Sequence, residues 1–275
     1  MWCIISDLDG TLLDSSQRIP AEVIARIQRF ENAGGRFTFA TGRSLDSVMP
    51  YLGQAGITTP VILYNGAIVY HPVTGEFIYE RFLETRKTED IVSAFQDIQT
   101  EYEISLLAFD REGAYYLEET EFIKKQLRKD GIRAQRTSAG ELLTKQLIKI
   151  MLIGGHEHIH ELKNLFSAFQ PINSEPELLE FIATGVNKGA AVKFLMDYLD
   201  IPSQQLAAVG DNENDLEMLQ TAGLGISVRN AVPSIKAVSD YVTRKTNTEH
   251  ALIEVIEKLE ETNYMTVMEH GGLRR

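Results

Sequence analysis

The sequence has very little cysteine: Cys3 is the one cysteine among 275 residues. A single cysteine excludes an internal disulfide, and a chain without disulfides fits the reducing cytosol. No apolar run reaches the roughly 18 residues that a membrane-spanning helix needs. The apolar start, Met1 to Ile5, meets acidic residues almost at once and has no signal-peptide pattern. We therefore expect a cytoplasmic location, no membrane partner, and a core role for Cys3 rather than a reactive thiol.

Basic residues are also scarce: 27 Lys and Arg face 39 Asp and Glu, which gives a formal net charge of −12. A nucleic-acid-binding protein normally carries a basic stripe, and the sequence has none, so no nucleic-acid partner is expected. An acidic molecule also repels anionic substrates at long range. Any phosphate site must therefore be made locally positive by a metal ion and a few basic groups.

Short apolar runs alternate with amphipathic helical stretches at both ends of the chain, which is typical of a parallel α/β sheet. The middle third mixes predicted hairpins with helices, as an inserted α+β domain would. The predicted fold class is α/β, with a Rossmann-like parallel-sheet core from residues 1–81 and 184–264 and an inserted α+β domain at 82–183. The polar stretch Thr262–Arg275 is expected to be frayed or loosely docked, and 265–275 is assigned to a tail.

The predicted elements include four strands that candidate functional residues follow, and several amphipathic helices. The strands are Met1–Ser6, Arg36–Ala40, Pro60–Tyr64 and Leu206–Val209, and the helices are Ala21–Ala33, Ile159–Phe169, Gly189–Leu199 and Glu249–Leu259. Polar loops that directly follow such strands lie in the crevice where open α/β sheets bind ligands.

The first of these loops carries two carboxylates, Asp7 and Asp9, directly after the first strand. Two nearby anions repel each other and are tolerated only with a cation or a shared proton. A hard divalent ion supplies the cation, and Mg²⁺ is the usual partner of phosphate substrates. A plain turn rich in Asp and Gly explains this loop equally well when it is taken alone.

A second acidic loop favours the metal site over the turn. Asp211 and Asp215 follow the predicted strand Leu206–Val209, on what should be the same edge of the sheet. Asn214 could cap the helix that comes next, and that role is compatible with a site. Two separate acidic loops at strand ends are hard to explain as turns alone, so the sequence predicts a metal site here.

Two further segments fit a phosphate group. Thr41, Gly42, Arg43 and Ser44 also follow a strand, and a hydroxyl, backbone N–H groups and a helix start suit a phosphoryl oxygen. Ser44 can cap a helix that begins at Leu45. Lys188 opens a helix and could supply a point charge to the phosphate, although a lone lysine is more often solvated.

Together the four segments resemble the haloacid dehalogenase-like (HAD) superfamily. They follow its order: Asp-x-Asp-Gly-Thr, then a threonine, then a lysine, then Gly-Asp-x-x-Asn-Asp. The resemblance covers nearly the whole chain, and the first and last motifs are specific. The long insertion resembles the type IIB cap of the Cof-like phosphatases. The stretches 63–68 and 212–219 are similar in sequence to the motifs usual in that subgroup.

The resemblance implies a catalytic pair and a metal site. Asp7 would attack phosphorus in line and form an aspartyl-phosphate, and Asp9 would act as the general acid and then the general base. Mg²⁺ would be held by the Asp7 carboxylate, the Asp9 backbone carbonyl and Asp211. Related ion pumps carry threonine at the second position, so Asp9 favours rapid hydrolysis over a stored phosphoenzyme.

The resemblance also implies the groups that bind substrate. Thr41 and Lys188 would bind the transferring phosphoryl oxygens. Asn214 and Asp215 would orient Lys188 or metal-bound water. The remaining substrate-binding candidates are Gly42, Arg43 and Asn65.

The expected function is that of a Mg²⁺-dependent phosphatase acting on a small phosphorylated metabolite, such as a sugar phosphate or a phosphorylated cofactor. A phosphohexomutase-type phosphotransferase and a non-catalytic phosphate-ligand module are the alternatives. Three histidines invite a metal hypothesis, His156, His158 and His160, but they lie in the insertion, and a solvated helix start is the preferred interpretation. The oligomeric state is left open.

Overall fold

A computed structural model describes residues 2–173 and 175–271. The chain begins with alternating strands and helices and then forms a hairpin. These elements are β1 (Cys3–Ser6), α1 (Ala21–Asn32), β2 (Arg36–Phe39), α2 (Leu45–Ala55), β3 (Val61–Leu63), β4 (Ile68–His71) and β5 (Glu76–Glu80). Helix α1 forms because Val23, Ile27 and Phe30 share one face, and all three are buried.

The middle of the chain builds a second sheet with its own helices. Its elements are α3 (Thr85–Ile98), β6 (Ser105–Phe109), β7 (Ala114–Tyr116), α4 (Glu121–Asp130), β8 (Ala134–Arg136), α5 (Ala139–Leu142), β9 (Lys149–Ile153), α6 (His156–Leu165) and β10 (Leu178–Phe181). The strand order is β10-β9-β6-β7-β8, and every pairing except β7 with β8 is antiparallel. We call this insertion the cap.

The last part of the chain returns to the first sheet. Its elements are α7 (Lys188–Leu199), β11 (Leu206–Gly210), α8 (Leu216–Thr221), β12 (Leu224–Ser227), α9 (Pro233–Val238), β13 (Tyr241–Val242) and α10 (Ala251–Gly271). The first sheet has the order β13-β12-β11-β1-β2, and all of its strand pairs are parallel. A parallel bridge between Ala40 and Ile62 brings β3 alongside β2.

The register of the parallel sheet decides where its loops meet. The last residue of β1, Ser6, lies opposite Phe39 of β2 and Val209 of β11. The three strands therefore end at the same level, and the loops after them share one edge. Strand β1 has neighbours on both sides, so its buried, fully apolar run Cys3 to Ile5 is that of a central parallel strand.

The cap sheet has two apolar faces, as the two-residue period of its strands requires. Leu106 of β6 and Leu152 of β9 belong to a core that the cap forms by itself with α3 and α6. Leu107 and Met151, one residue away in each strand, belong to the large core that is continuous with the parallel sheet. One face of the cap sheet therefore looks toward the core.

The predicted fold class is confirmed: a parallel α/β core carries an additional, mostly antiparallel sheet. The predicted domain boundaries fall in connecting segments, between β5 and α3 and between β10 and α7, and the division itself stays a prediction. Within residues 2–173 and 175–271, no helix is long and apolar enough to cross a bilayer.

Four local features of the structure differ from the predictions. The strand β8 and the short helix α5 were not predicted, and α6 begins at His156 instead of Ile159 because Gly155 serves as its N-cap. Helix α10 continues to Gly271, well past the predicted end at Leu259. The predicted tail, 262–275, falls partly on this helix and partly outside the described residues, and its looseness stays a prediction.

Candidate active site

Three carboxylates converge at the carboxyl edge of the parallel sheet. Asp7 follows β1 and is buried, and Asp211 and Asp215 follow β11. Each of the three offers a carboxylate oxygen, and these oxygens all lie within 4.8 Å of one another. The carboxylates of residues 7 and 211 are therefore close enough to share one cation, as the predicted metal site requires.

Lys188 lies between two of these carboxylates. Its Nζ atom is 2.6 Å from Asp7 Oδ1 and 2.6 Å from Asp215 Oδ1, and its side chain is fully buried. Burial alone would lower the pKa of Lys188, but the charges of Asp215 and Asp7 outweigh it and raise that pKa above its ordinary value. Lys188 is therefore cationic at neutral pH.

Asp215 organises the second acidic loop. Its Oδ2 accepts the backbone N–H groups of Asp211 (2.9 Å) and Asn212 (3.1 Å), and its Oδ1 accepts Lys188. The packing is close: a Cβ atom at Gly210 would lie 2.6 Å from the Asp215 side chain. Since both oxygens of Asp215 are already engaged, Asp7 and Asp211 are the carboxylates left to face a cation.

The remaining two carboxylates fit a divalent cation. Burial, reinforced chiefly by the charge of Asp215, raises the pKa of Asp211 to about 7, even though Thr11 donates a 2.8 Å hydrogen bond to its Oδ1. Burial also raises the pKa of Asp7 well above its ordinary value, and Lys188 opposes that rise. Two desolvated, facing carboxylates remain charged together only with added positive charge, which hard oxygen ligands obtain from Mg²⁺ or Ca²⁺.

Asp9 has a different environment, because a guanidinium group holds it. Arg43 donates from Nε to Asp9 Oδ2 and from Nη2 to Asp9 Oδ1, both at 2.7 Å. Arg43 is itself anchored by Ser47 Oγ at 3.1 Å and by Gln17. The Asp9 side chain is 41% exposed, so it is fixed in orientation and still open to the cleft.

The loop after β2 has the expected helix start. Ser44 accepts a hydrogen bond from the backbone N–H of Ser47 and caps α2, which begins at Leu45 as predicted. Thr41 is buried, and its backbone N–H donates to Ile62 O at 2.9 Å, which ties the loop to β3. The loop is thereby held on the edge that carries Asp7.

Hydrogen bonds join the core loops to the cap. Asn214 Nδ2 donates to Asn65 Oδ1 at 3.0 Å, and Asn65 Nδ2 donates to Glu180 Oε2 at 3.1 Å. Lys149 donates to Glu180 Oε1 at 2.6 Å and to the backbone carbonyl of Gly42 at 2.8 Å. The ion pair of Lys149 and Glu180 is buried and belongs to cap strands β9 and β10.

A cleft of about 80 Å³ lies between these loops and the cap. On the core side it is lined by Asp7, Asp9, Thr41, Gly42, Arg43, Ser44, Asn212 and Asn214. On the cap side it is lined by Phe109, Gln126, Asp130, Lys149, Met151, Glu175, Leu178 and Glu180. Lys188 does not line this cleft; its ammonium group is buried between Asp7 and Asp215.

Comparison with known proteins decides the family. A family profile described as haloacid dehalogenase-like hydrolase matches residues 4–256. The chain belongs to this family.

The relatives of this HAD-like hydrolase that exceed one quarter identity include a curated protein and a solved structure. It is 26% identical over 253 residues to a Bacillus subtilis (strain 168) protein named 5-amino-6-(5-phospho-D-ribitylamino)uracil phosphatase YitU, a match that covers 88% of this chain and 92% of that protein. The crystal structure of TM0651 from Thermotoga maritima is 29% identical, with a TM-score of 0.81 over 94% of this chain and 97% of that one.

A second solved structure is similar to the HAD-like hydrolase in fold only. It is the sugar phosphatase BT4131, described as HAD subclass IIB, at 20% identity with a TM-score of 0.83 over 94% of this chain and 99% of that one. The resemblance stated from the motifs is thus confirmed at the level of family and fold, and so is the prediction of an enzyme.

Most residues predicted for the site of the HAD-like hydrolase lie together. Six of them line the cleft. One of the six, Asn214, donates a hydrogen bond to Asn65, which is a seventh predicted residue. Lys188 bonds to the Asp7 carboxylate, and Asp215 accepts the backbone N–H of Asp211. The bidentate contact of Arg43 with Asp9 was not predicted; Arg43 was expected only at the substrate edge. Among the described residues, the acidic cluster is the one group with metal-ligand spacing, and the three histidines of α6 are not part of such a group.

The cap side of the cleft was not predicted from the sequence. Lys149 and Glu180 each interrupt an otherwise apolar strand, and a charged residue in a buried strand was a usable signal. Gln126 and Asp130 lie four residues apart on α4 and had no signal beyond that spacing.

Proposed function

We propose that this HAD-like hydrolase is a Mg²⁺-dependent phosphatase that hydrolyses a small phosphorylated metabolite through an aspartyl-phosphate on Asp7. The observation that carries the proposal is the position of Asp7: it is buried at the end of the central strand, bonded to Lys188 and faced by Asp211. Asp9 lies two residues further on, at the cleft.

The first step transfers the phosphoryl group to the enzyme. A carboxylate oxygen of Asp7 forms a bond to phosphorus while the bond from phosphorus to the alkoxide oxygen breaks. Asp9, in its protonated form, donates its proton to that leaving oxygen. Arg43 donates to both Asp9 oxygens in the structure, so protonation of Asp9 requires one of these two hydrogen bonds to open.

The second step returns the enzyme to its starting state. Asp9 is now a carboxylate and removes a proton from a water molecule, whose oxygen attacks phosphorus. The bond between phosphorus and the Asp7 oxygen breaks, and inorganic phosphate leaves. An acid at position 9 supports this hydrolysis, because the group that protonated the leaving alcohol is then ready to act as a base.

The other site residues supply charge and position. Lys188 opposes the rise in the pKa of Asp7 that burial causes, and it fixes one of the Asp7 oxygens. The Thr41 hydroxyl and the backbone N–H group of Gly42, both from residues that line the cleft, would donate hydrogen bonds to phosphoryl oxygens. Mg²⁺ held by Asp7, Asp211 and the Asp9 carbonyl would neutralise the negative charge between carboxylate and phosphate.

The proposed substrate class rests on size and on the relatives. The cleft of about 80 Å³ is smaller than the several hundred Å³ common for ligand pockets, which favours a small molecule over a protein substrate. The name of the Bacillus subtilis relative describes a phosphatase of a phosphorylated small molecule. We therefore propose a phosphorylated metabolite and not a phosphoprotein.

Removal of the nucleophile tests the proposal. Asp7→Asn keeps the shape of the side chain and should lower phosphate release from p-nitrophenyl phosphate at least about 1,000-fold. In the wild type, EDTA should abolish phosphate release until Mg²⁺ is restored. Asp197→Asn, an exposed position on α7, is the matched control and should retain wild-type activity. Mg²⁺-dependent phosphate release that survives in Asp7→Asn would show the mechanism to be wrong.

An assay of the wild-type protein with hexose phosphates distinguishes a phosphatase from a phosphotransferase. Hexose 1- and 6-phosphates incubated with the protein should yield free phosphate and the sugar. Interconversion of the two esters without phosphate release would instead establish the mutase alternative.

A further inference from the structure

The cap wall of the cleft is rich in hydrogen-bond acceptors. Three of its side chains are carboxylates, Asp130, Glu175 and Glu180. The two cations that line the cleft are already engaged, Lys149 with Glu180 and Arg43 with Asp9. Glu175 is paired with Lys129, so Asp130 is the carboxylate of this wall that has no ion-pair partner among the described residues.

Asp130 is the carboxylate with the least support from the protein. No basic nitrogen of the described residues lies within 4.0 Å of it, and its side-chain partner in that part of the chain is Gln126, whose Nε2 donates to Oδ2 at 2.9 Å. Burial raises its pKa above the ordinary value. Gln126 is itself buried and holds one oxygen of Asp130 in place.

The position of Asp130 is also unfavourable for the helix that carries it. It is the last residue of α4, where the helix dipole repels a negative charge. It is not needed to end the helix, because Gly131 has a φ of 67° and its N–H bonds to Leu127 O. An acid that lines a cleft at a helix C-terminus without an ion pair opposes folding, and such a position is typical of a ligand-binding residue.

The neighbours of Asp130 indicate what kind of ligand fits. Phe109, Met151 and Leu178 provide an apolar surface in the same cleft, and Asn212 and Asn214 provide amides on the opposite side. A carbon chain or ring that carries hydroxyl groups has both an apolar face and hydrogen-bond donors. A second phosphate or carboxylate would instead face Asp130, a carboxylate that no basic group of the described residues contacts within 4.0 Å.

We propose that Asp130 is a specificity-determining residue that accepts hydrogen bonds from hydroxyl or ammonium groups of the leaving group. The enzyme then prefers phosphate esters of polyols and amino alcohols to esters that carry a second anionic group. This inference rests on the proposed phosphatase function, because it assigns the leaving-group side of that site.

Matched ligands test the preference without knowledge of the natural substrate. Glucitol 6-phosphate and gluconate 6-phosphate share a linear six-carbon chain and differ at one end, which is a hydroxymethyl group in the first and a carboxylate in the second. Each ester is used as an inhibitor of the Mg²⁺-dependent hydrolysis of p-nitrophenyl phosphate. The readout is the inhibition constant of gluconate 6-phosphate divided by that of glucitol 6-phosphate. The inhibition constants of glucosamine 6-phosphate and glucose 6-phosphate, compared in the same assay, report the effect of an ammonium group.

The wild type should bind glucitol 6-phosphate about tenfold or more tightly than gluconate 6-phosphate, as expected for one hydrogen bond to a charged acceptor. Asp130→Asn should lower that ratio about tenfold, and should do so by improving the binding of gluconate 6-phosphate as well as by weakening glucitol 6-phosphate. A gain for one ligand cannot come from misfolding. Asp97→Asn, an exposed acid in the last turn of cap helix α3, is the matched control and should keep the wild-type ratio.

The possible results distinguish a failure of the Asp130 assignment from a failure of the proposed phosphatase function. A wild-type ratio near one, or a ratio that Asp130→Asn leaves unchanged, overturns the assignment of Asp130 while the phosphatase stands. Failure of both ligands to compete overturns it as well. Absence of any Mg²⁺-dependent hydrolysis of p-nitrophenyl phosphate overturns the proposed function, and the inference falls with it.

Discussion

At the scale of single residues, Gly10 shows how tightly the first acidic loop is built. Its φ is +77°, a conformation that L side chains rarely adopt, and a Cβ atom there would lie 2.4 Å from Asp211 Oδ2. The loop therefore approaches Asp211 so closely that only glycine fits. The approach brings together the two carboxylates that we assign to the cation.

Gly10→Ala should consequently damage both stability and activity. We expect a loss of about 1–3 kcal/mol in the free energy of unfolding and a fall of at least about tenfold in kcat/KM, because the strain displaces Asp211. Chemical denaturation and phosphate release measure the two effects. Gly53→Ala in α2, where no atom lies within 4 Å of the added Cβ, should be neutral or stabilising. Equal behaviour of the two variants would contradict this view of the loop.

At the scale of elements, the buried ion pair of Lys149 and Glu180 joins the cap to the core. The pair spans the neighbouring strands β9 and β10, and each partner also bonds to a core loop, at Gly42 and Asn65. Four hydrogen bonds thus run from Asn214 through the cap to the loop that carries Thr41. Closure of the cap and the geometry of the phosphate loop should therefore depend on each other.

Lys149→Met should destabilise the protein by about 3–5 kcal/mol, because it removes the cation that faces the buried Glu180 carboxylate. The double variant Lys149→Met with Glu180→Gln removes that buried negative charge and should recover most of the loss, since glutamine can still accept from Asn65. Urea denaturation of the two variants gives both values. A double variant no more stable than the single one would show that the pair is not held together by charge.

Sequence patterns predicted the core elements better than those of the cap. Buried parallel strands are continuous apolar runs, so β1, β2 and β11 were visible, and the loops after them could be placed as well. Strand β8 was missed because its three residues are polar or small and give no two-residue period. Helix α5 is four residues long, and its one signal was the capping box of Ser138 and Glu141.

The candidate site divides in the same way. Asp7, Thr41, Lys188 and Asp211 belong to motifs with fixed spacing from a strand or helix, so they could be named from the sequence. Asp130 and Glu180 reach the cleft only because the chain folds the cap sheet back over the core edge, and no local pattern encodes that long-range approach.

At the scale of the whole molecule, the net charge of −12 opposes the arrival of an anionic substrate. At constant Mg²⁺, kcat/KM for a phosphate ester should therefore rise about two- to tenfold as KCl is raised from low to physiological ionic strength, because salt screens the repulsion. The value of kcat should stay nearly constant in the same series. A steady fall of kcat/KM with salt would indicate that the local positive charge of the site governs the encounter instead.

The central claim is that Asp7 becomes covalently phosphorylated, and one measurement tests it directly. The variant Asp9→Asn lacks the base for the second step, whereas p-nitrophenol leaves without needing a proton from Asp9, so the phosphoenzyme should accumulate. After a rapid acid quench of this variant with Mg²⁺ and p-nitrophenyl phosphate, mass spectrometry of its peptides locates any added phosphoryl group. We predict that the group is on Asp7; a peptide that stays unmodified while p-nitrophenol is released, or a phosphoryl group on another residue, would contradict the claim.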